Sequence, residues 1–136
     1  MTNFIRASVA AMVMLIAAPA AAQMGPTSGA GTAPLPVTGE QVFQQVCQAC
    51  HMADAKGATG AATIPALANN PHLSNASFPI TVVVYGRGAM PWFSQMLTPA
   101  QIANVVGYVR THFGNNYPGP VTAADVKLIE GAQASK

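Results

Sequence analysis

The sequence predicts a small all-α domain of about four to five helices wrapped around one bulky group. Helix-start signals recur along the chain. Thr38 with Gln41 three residues on, and Thr98-Pro99-Ala100-Gln101, each offer a side-chain oxygen to the free N–H groups of a first helical turn. Behind these signals apolar residues return at helical spacing, as in Ile102, Val105, Val106 and Val109. The stretch from Ala53 to Ser77 is mostly Gly, Ala, Asn and Pro. It is too irregular for one element and too long for an empty loop in a compact domain. A bulky group filling the space beneath it removes that difficulty.

Met1 to Arg6 carries one positive charge, Val9 to Ala18 is uninterruptedly apolar, and Pro19 and Ala20-Ala21-Ala22 follow. That order is a secretory signal over 1–22, with A-x-A cleavage after Ala22. The apolar run is well short of the roughly 20 residues a membrane span needs, so no membrane span is expected after cleavage. Residues 23–37, rich in Gly, Pro, Ala, Ser and Thr, read as a flexible leader. The domain proper is expected over 38–116, followed by a C-terminal extension over 117–136.

The first helix starts at Thr38 and places Val42, Phe43, Val46 and Cys50 on one apolar face. Pro79 to Tyr85 (PITVVVY) admits a strand by its β-branched content. The helix reading is preferred, because Pro suits a first helical position and Ile80, Val83 and Val84 share a face. Gly86 to Met96 is a loop. The next helix starts at Thr98 and ends near Gly114-Asn115. Tyr117-Pro118-Gly119-Pro120 breaks the chain, and a short last helix begins at Thr122, capped by its hydroxyl, with Val126 and Ile129 inside it.

Of 136 residues, 51% are hydrophobic and 7% charged, which suits one domain and not a disordered chain. Lys and Arg total six with no basic run, so nothing is available to neutralise nucleic-acid phosphates. After signal removal Lys56, Arg87, Arg110, Lys127 and Lys136 stand against Glu40, Asp54, Asp125 and Glu130, leaving the chain nearly neutral.

Both cysteines fall in Cys47-Gln48-Ala49-Cys50-His51. On a helix, cysteines three apart sit on adjacent turns of one face, with the next residue alongside. That spacing fits covalent haem attachment through two thioether bonds, with the histidine under the iron. A structural disulfide would leave His51 without a purpose. A thioredoxin-like pair needs a βαβ setting, and a zinc site needs further ligands.

With this motif the chain resembles the class I c-type cytochromes. Gly39 and Phe43 stand where that family has a glycine and an aromatic residue. Ile64-Pro65-Ala66-Leu67 resembles its proline loop, whose carbonyl holds the proximal histidine ring. Gly86-Arg87-Gly88-Ala89-Met90-Pro91 resembles the loop presenting the distal methionine, and Tyr108 matches the aromatic residue packed on the first helix. The resemblance covers 38–116 and implies the small class I fold around one haem c. Gly39 would let another helix cross closely, and Phe43 would then meet Tyr108.

Iron ligands are accordingly expected at His51 and Met90. Met52 adjoins the proximal ligand, and Met96 and His112 lie beside or within the last long helix, where a methionine is more often core. His72, in a polar loop, is the bis-histidine alternative. Arg87 either offsets a haem propionate or is a solvated surface arginine. Trp92 and Phe93 are expected to wall the pocket.

A six-coordinate iron leaves no open position for a substrate, so the implied function is one-electron transfer, not catalysis. IPALANNPHL, AMPWF and YVRTHFGN followed by VTAADV narrow the resemblance to the single-haem cytochrome subunits or domains of periplasmic dehydrogenases. These take electrons from such an enzyme and pass them to a cytochrome or oxidase of the respiratory chain. A free shuttle to a terminal oxidase is the alternative reading, and a haem sensor or small peroxidase a more distant one.

Overall fold

The computed structural model describes residues 37–60 and 63–134; the signal segment 1–22 and nearly all of the leader 23–37 lie outside them. Among the described residues the regular structure is helical, with isolated β-bridges at Ala58–Ile64 and Arg87–Met90 and no strand. The all-α expectation is met. No helix among these residues is long and apolar enough to cross a membrane.

Helix α1 (Gly39–Val42) runs without a break through a π-helical turn, Phe43–Cys47, into α2 (Gln48–His51). It starts at Thr38 because a capping box closes there. The Gln41 N–H donates to Thr38 Oγ1 at 3.1 Å, and the Thr38 N–H donates to Gln41 Oε1 at 3.1 Å. The π turn, in which the Gln48 N–H reaches back five residues to the Phe43 carbonyl, breaks the single apolar face expected here. Val42 and Phe43 enter the core, whereas Val46, Cys47 and Cys50 line a cavity. Such turns recur at functional sites because they re-aim side chains within one helix.

A 3-10 helix (Pro71–Ser74) leads into α3 (Ser77–Tyr85), so the strand alternative for PITVVVY is discarded. Ile80 and Val84 of α3 are buried in the core, while Val82 and Val83 line the cavity. Apolar surface on both sides outweighs the weak helix propensity of three consecutive valines. Helix α4 (Pro99–Thr111) repeats the capping box, with the Gln101 N–H on Thr98 Oγ1 at 3.3 Å and the Thr98 N–H on Gln101 Oε1 at 2.8 Å. It ends a few residues before Gly114-Asn115. Helix α5 (Ala123–Ala134) is capped as expected, the Asp125 N–H donating to Thr122 Oγ1 at 3.2 Å. It packs on α3 and α4, with Val126 completely buried and the Tyr85 hydroxyl donating to the Ile129 carbonyl.

The crossing of α1 over α4 joins the two ends of the fold. A Cβ at Gly39 would lie 2.1 Å from the Asn104 carbonyl oxygen and 2.6 Å from Tyr108 Cβ, so only glycine allows the helices to approach this closely. Beside it the Phe43 and Tyr108 rings stand 5.9 Å apart and Phe43 and Phe113 4.7 Å, tilted as aromatic quadrupoles prefer. Asn104 Nδ2 donates to the Val37 carbonyl at 2.7 Å and locks the crossing.

Gly39→Ala should therefore lower stability by about 1–3 kcal/mol, the usual cost of overpacking. Gly107→Ala on the same α4, where an added Cβ meets nothing within 4 Å, should raise it by about 0.5–1 kcal/mol. Denaturant unfolding of the two variants, followed by helical circular dichroism, checks both signs.

Candidate functional site

Between α2, α3 and α4 lies a cavity of about 420 Å³. Its walls are mainly apolar, with Leu67, Leu73, Val105, Val106, Val109 and Phe93 among them. An apolar-walled space of this size is of the kind that holds a small molecule or cofactor.

Cys47, Cys50, His51, Pro65, Arg87 and Met90 all line this one cavity. The segment after α2 brings Pro65 there. The Gly57 N–H donates to the His51 carbonyl at 3.1 Å, and Ala58 and Ile64 exchange hydrogen bonds of 3.1 and 2.8 Å. The Leu67 and Ala68 N–H groups then both donate to the Ala55 carbonyl. Gly57 has φ +70°, and a Cβ there would sit 2.2 Å from the Ile64 carbonyl oxygen, so this fold-back needs glycine.

The Pro65 carbonyl ends 3.0 Å from His51 Nδ1. A carbonyl can only accept, so Nδ1 carries the proton and Nε2 keeps its lone pair. Burial pushes the His51 imidazole below its ordinary range, against the opposing pull of the Pro65 carbonyl. Both the tautomer and the neutral state suit a metal ligand. Burial, with Cys50 adjacent, pushes the Cys47 thiol up to about 11. At neutral pH it is an S–H group, poorly disposed to form a disulfide.

Met90 is presented by a tight turn in which Arg87 and Met90 exchange two backbone hydrogen bonds of 3.0 Å each. The Phe93 N–H donates to the Val83 carbonyl at 2.8 Å, pinning the following residues to α3. Among the other candidate ligands, His72 lines the cavity, and Met52, Met96 and His112 do not. Met96 is 62% exposed and not core; Leu97, next to it, takes the buried position instead. Phe93 lines the cavity as expected, but Trp92 does not. It points outward at 57% exposure, since Phe93 takes the inward position next to it. Arg87 packs its guanidinium 5.8 Å from the centre of the Phe78 ring, at the cavity rim.

Residues 34–109 match the family described as "Cytochrome C oxidase, cbb3-type, subunit III". The chain belongs to the cytochrome c family. Similar curated proteins include the "Alcohol dehydrogenase (quinone), cytochrome c subunit" of Gluconacetobacter polyoxogenes, 36% identical over 72% of this chain and 23% of that protein. The subunit of the same name from Gluconobacter oxydans (strain 621H) is 30% identical over 92% of this chain and 30% of its own length. The "Gluconate 2-dehydrogenase cytochrome c subunit" of Pantoea cypripedii is 34% identical over 68% and 24%. The chain thus spans about a quarter of the length of these relatives. It is a cytochrome c domain, a haem-binding electron-transfer module.

The cavity fits such a group. A helix presents two thiols and a neutral imidazole to it, the remaining walls are mainly apolar, and every buried side-chain polar atom among the described residues has a hydrogen-bond partner. Among the described residues no cluster of three or more His, Cys, Asp or Glu is gathered as a metal site, so the zinc reading has no ligand set.

Two side chains missed by sequence reasoning hold the frame. Buried Asn115 donates from Nδ2 to the Leu67 and Val109 carbonyls, both at 2.8 Å, and accepts from the Asn70 N–H at 2.8 Å. It thereby ties the loop behind Pro65 to the end of α4. Arg110, also buried, reaches the carbonyls of Leu73, Ser74 and Gly119. Backbone carbonyls leave no sequence pattern. Only the rarity of a buried Arg or Asn near a helix end could have signalled either residue.

Gly57→Ala should push the Ile64–Pro65 backbone off His51. In haem-loaded protein the proximal ring proton, observed by NMR, should then exchange faster with solvent than in the unsubstituted chain.

Proposed function

We propose that the chain is a periplasmic one-electron carrier with a single haem c, held by Cys47 and Cys50 and ligated by His51 and Met90. The observation that carries this reading is the convergence of all four side chains on one apolar cavity, with Pro65 accepting from the His51 ring at 3.0 Å. When bound, haem c supplies a one-electron iron couple. Cys47 and Cys50, on adjacent helical turns, hold the ring through thioethers and fix its place without relying on affinity. Pro65 keeps the His51 ring oriented and its Nε2 free to donate. The Met90 thioether is a weak donor to oxidised iron and favours the reduced state. Val105, Val106 and Phe93 keep water from the site.

The relatives support a dehydrogenase as the electron donor, with a cytochrome or oxidase as acceptor; by their names they serve alcohol and gluconate dehydrogenases. In this role the chain passes electrons without itself transforming a substrate. Periplasmic export rests on the signal pattern over 1–22. Because His72 lines the same cavity, bis-histidine ligation is the second reading.

The intact mass of the mature protein should equal residues 23–136 plus one haem, and either cysteine changed to Ala should prevent full attachment. A mass matching a bare disulfide would defeat the proposal.

The oxidised protein should show a sulfur-to-iron charge-transfer band in the far red, lost in Met90→Ala and kept in His72→Ala. A wild-type spectrum without the band would establish the bis-histidine reading instead.

The chain is nearly neutral, with six Lys and Arg against four Asp and Glu and no basic run, so little long-range steering of a partner is available. Reduction by the native donor, followed by stopped flow, should change less than about tenfold between low and high salt. A steeper fall would reveal a charged docking face.

A further inference from the structure

Arg110 carries a charge that haem binding, as described above, does not use. It lies in the last turn of α4 and is 6% exposed. Its Nε donates to the Leu73 carbonyl at 2.9 Å, and its terminal nitrogens donate to Ser74 and Gly119 carbonyls at 3.2 and 3.3 Å. Three carbonyl dipoles solvate the guanidinium, but none brings a full negative charge. Among the described residues the ion pair formed joins Lys56 to Asp54, and no acidic side chain lines the cavity.

Burying an unpaired cation is costly, and tying loops to a helix does not require one. Asn115, five residues on, performs the same kind of tie with a neutral amide. The charge itself therefore calls for an explanation. Leu73, whose carbonyl receives Arg110 Nε, and Val109, the residue before it, both line the cavity. The cation stands directly behind the apolar wall that would surround the haem.

We propose that Arg110 is an electrostatic determinant of the haem reduction potential, its buried positive charge favouring the reduced iron. This rests on the haem reading given above. Oxidised iron carries one more positive charge than reduced iron, so a fixed cation nearby destabilises the oxidised form more. Through a protein interior of effective dielectric near 20, a unit charge about 12 Å away shifts the reduction equilibrium by roughly tenfold. A buried charge escapes most ionic screening, so the effect persists in high salt.

The experiment is a spectroelectrochemical titration of the haem-loaded protein at low and high ionic strength. Two replacements are compared with the unsubstituted chain. Citrulline at position 110 is neutral yet keeps most of the arginine shape and N–H donors. Arg110→Lys keeps the charge and gives up the planar fork. The citrulline form should shift roughly tenfold towards the oxidised state at both ionic strengths, and Arg110→Lys should stay much closer to the parent. An unchanged equilibrium with citrulline overturns the proposal. So does an equal shift in both forms, which would trace the effect to packing or hydration. Should the citrulline form not accumulate, Arg110→Gln beside Arg110→Lys makes the same comparison. Failure of the haem reading would be seen separately, as a missing haem mass in the unsubstituted chain.

Discussion

The apolar cavity between α2, α3 and α4 is the constraint on which the rest of this domain depends. Helices of a small bundle normally bury their faces against one another. Here α3 and α4 each divide their apolar surface between a shared core and the cavity wall, Ile80 and Val84 on one side and Val82 and Val83 on the other. The protein-only core is correspondingly thin. It is concentrated at the α1–α4 crossing around Gly39, Phe43 and Tyr108, and under α5 at Val126. The long irregular stretch after His51 cannot lean on such a core, so its place is set by hydrogen bonds. The Ala55 carbonyl takes two N–H groups, Asn115 takes hold of both sides of the loop, and Arg110 grips the end of the 3-10 helix. Apolar burial supplies the driving force, and backbone carbonyls supply the shape.

This division explains what could be read in advance. Helix starts were legible because a cap is a local device: Thr38, Thr98 and Thr122 each reach an N–H three residues on. The cysteine–histidine motif was legible because the whole chemistry is compressed into five residues. The approach of Pro65 to His51 was legible only through resemblance, since no local rule links a proline to a histidine fourteen positions away. The π turn over Phe43–Cys47 was not legible. Its sequence reads as an ordinary helix, and the shift shows only when two different surroundings compete for adjacent faces. Arg110 and Asn115 were passed over for a similar reason, their partners being main-chain oxygens of distant residues. Trp92 and Met96 went wrong in one direction: the first was expected in the pocket wall and the second in the core, and both are exposed.

The chain belongs to the cytochrome c family and matches about a quarter of the length of its dehydrogenase-subunit relatives. Its described surface leaves Trp92 turned outward beside the Met90 loop.

The α1–α4 crossing also orders events in time. Asn104 holds the Val37 carbonyl across 67 positions of sequence, so the crossing closes only once distant parts of the chain have met. Until they do, the cysteine–histidine motif stands on an open chain. Bonds that span so much sequence form late in folding, whereas the capped helix carrying the motif needs only its own residues to begin. For the haem attachment proposed at Cys47 and Cys50, an unclosed chain offers a window in which both thiols are reachable and no wall stands in the way. Closure of the crossing is the step that ends it.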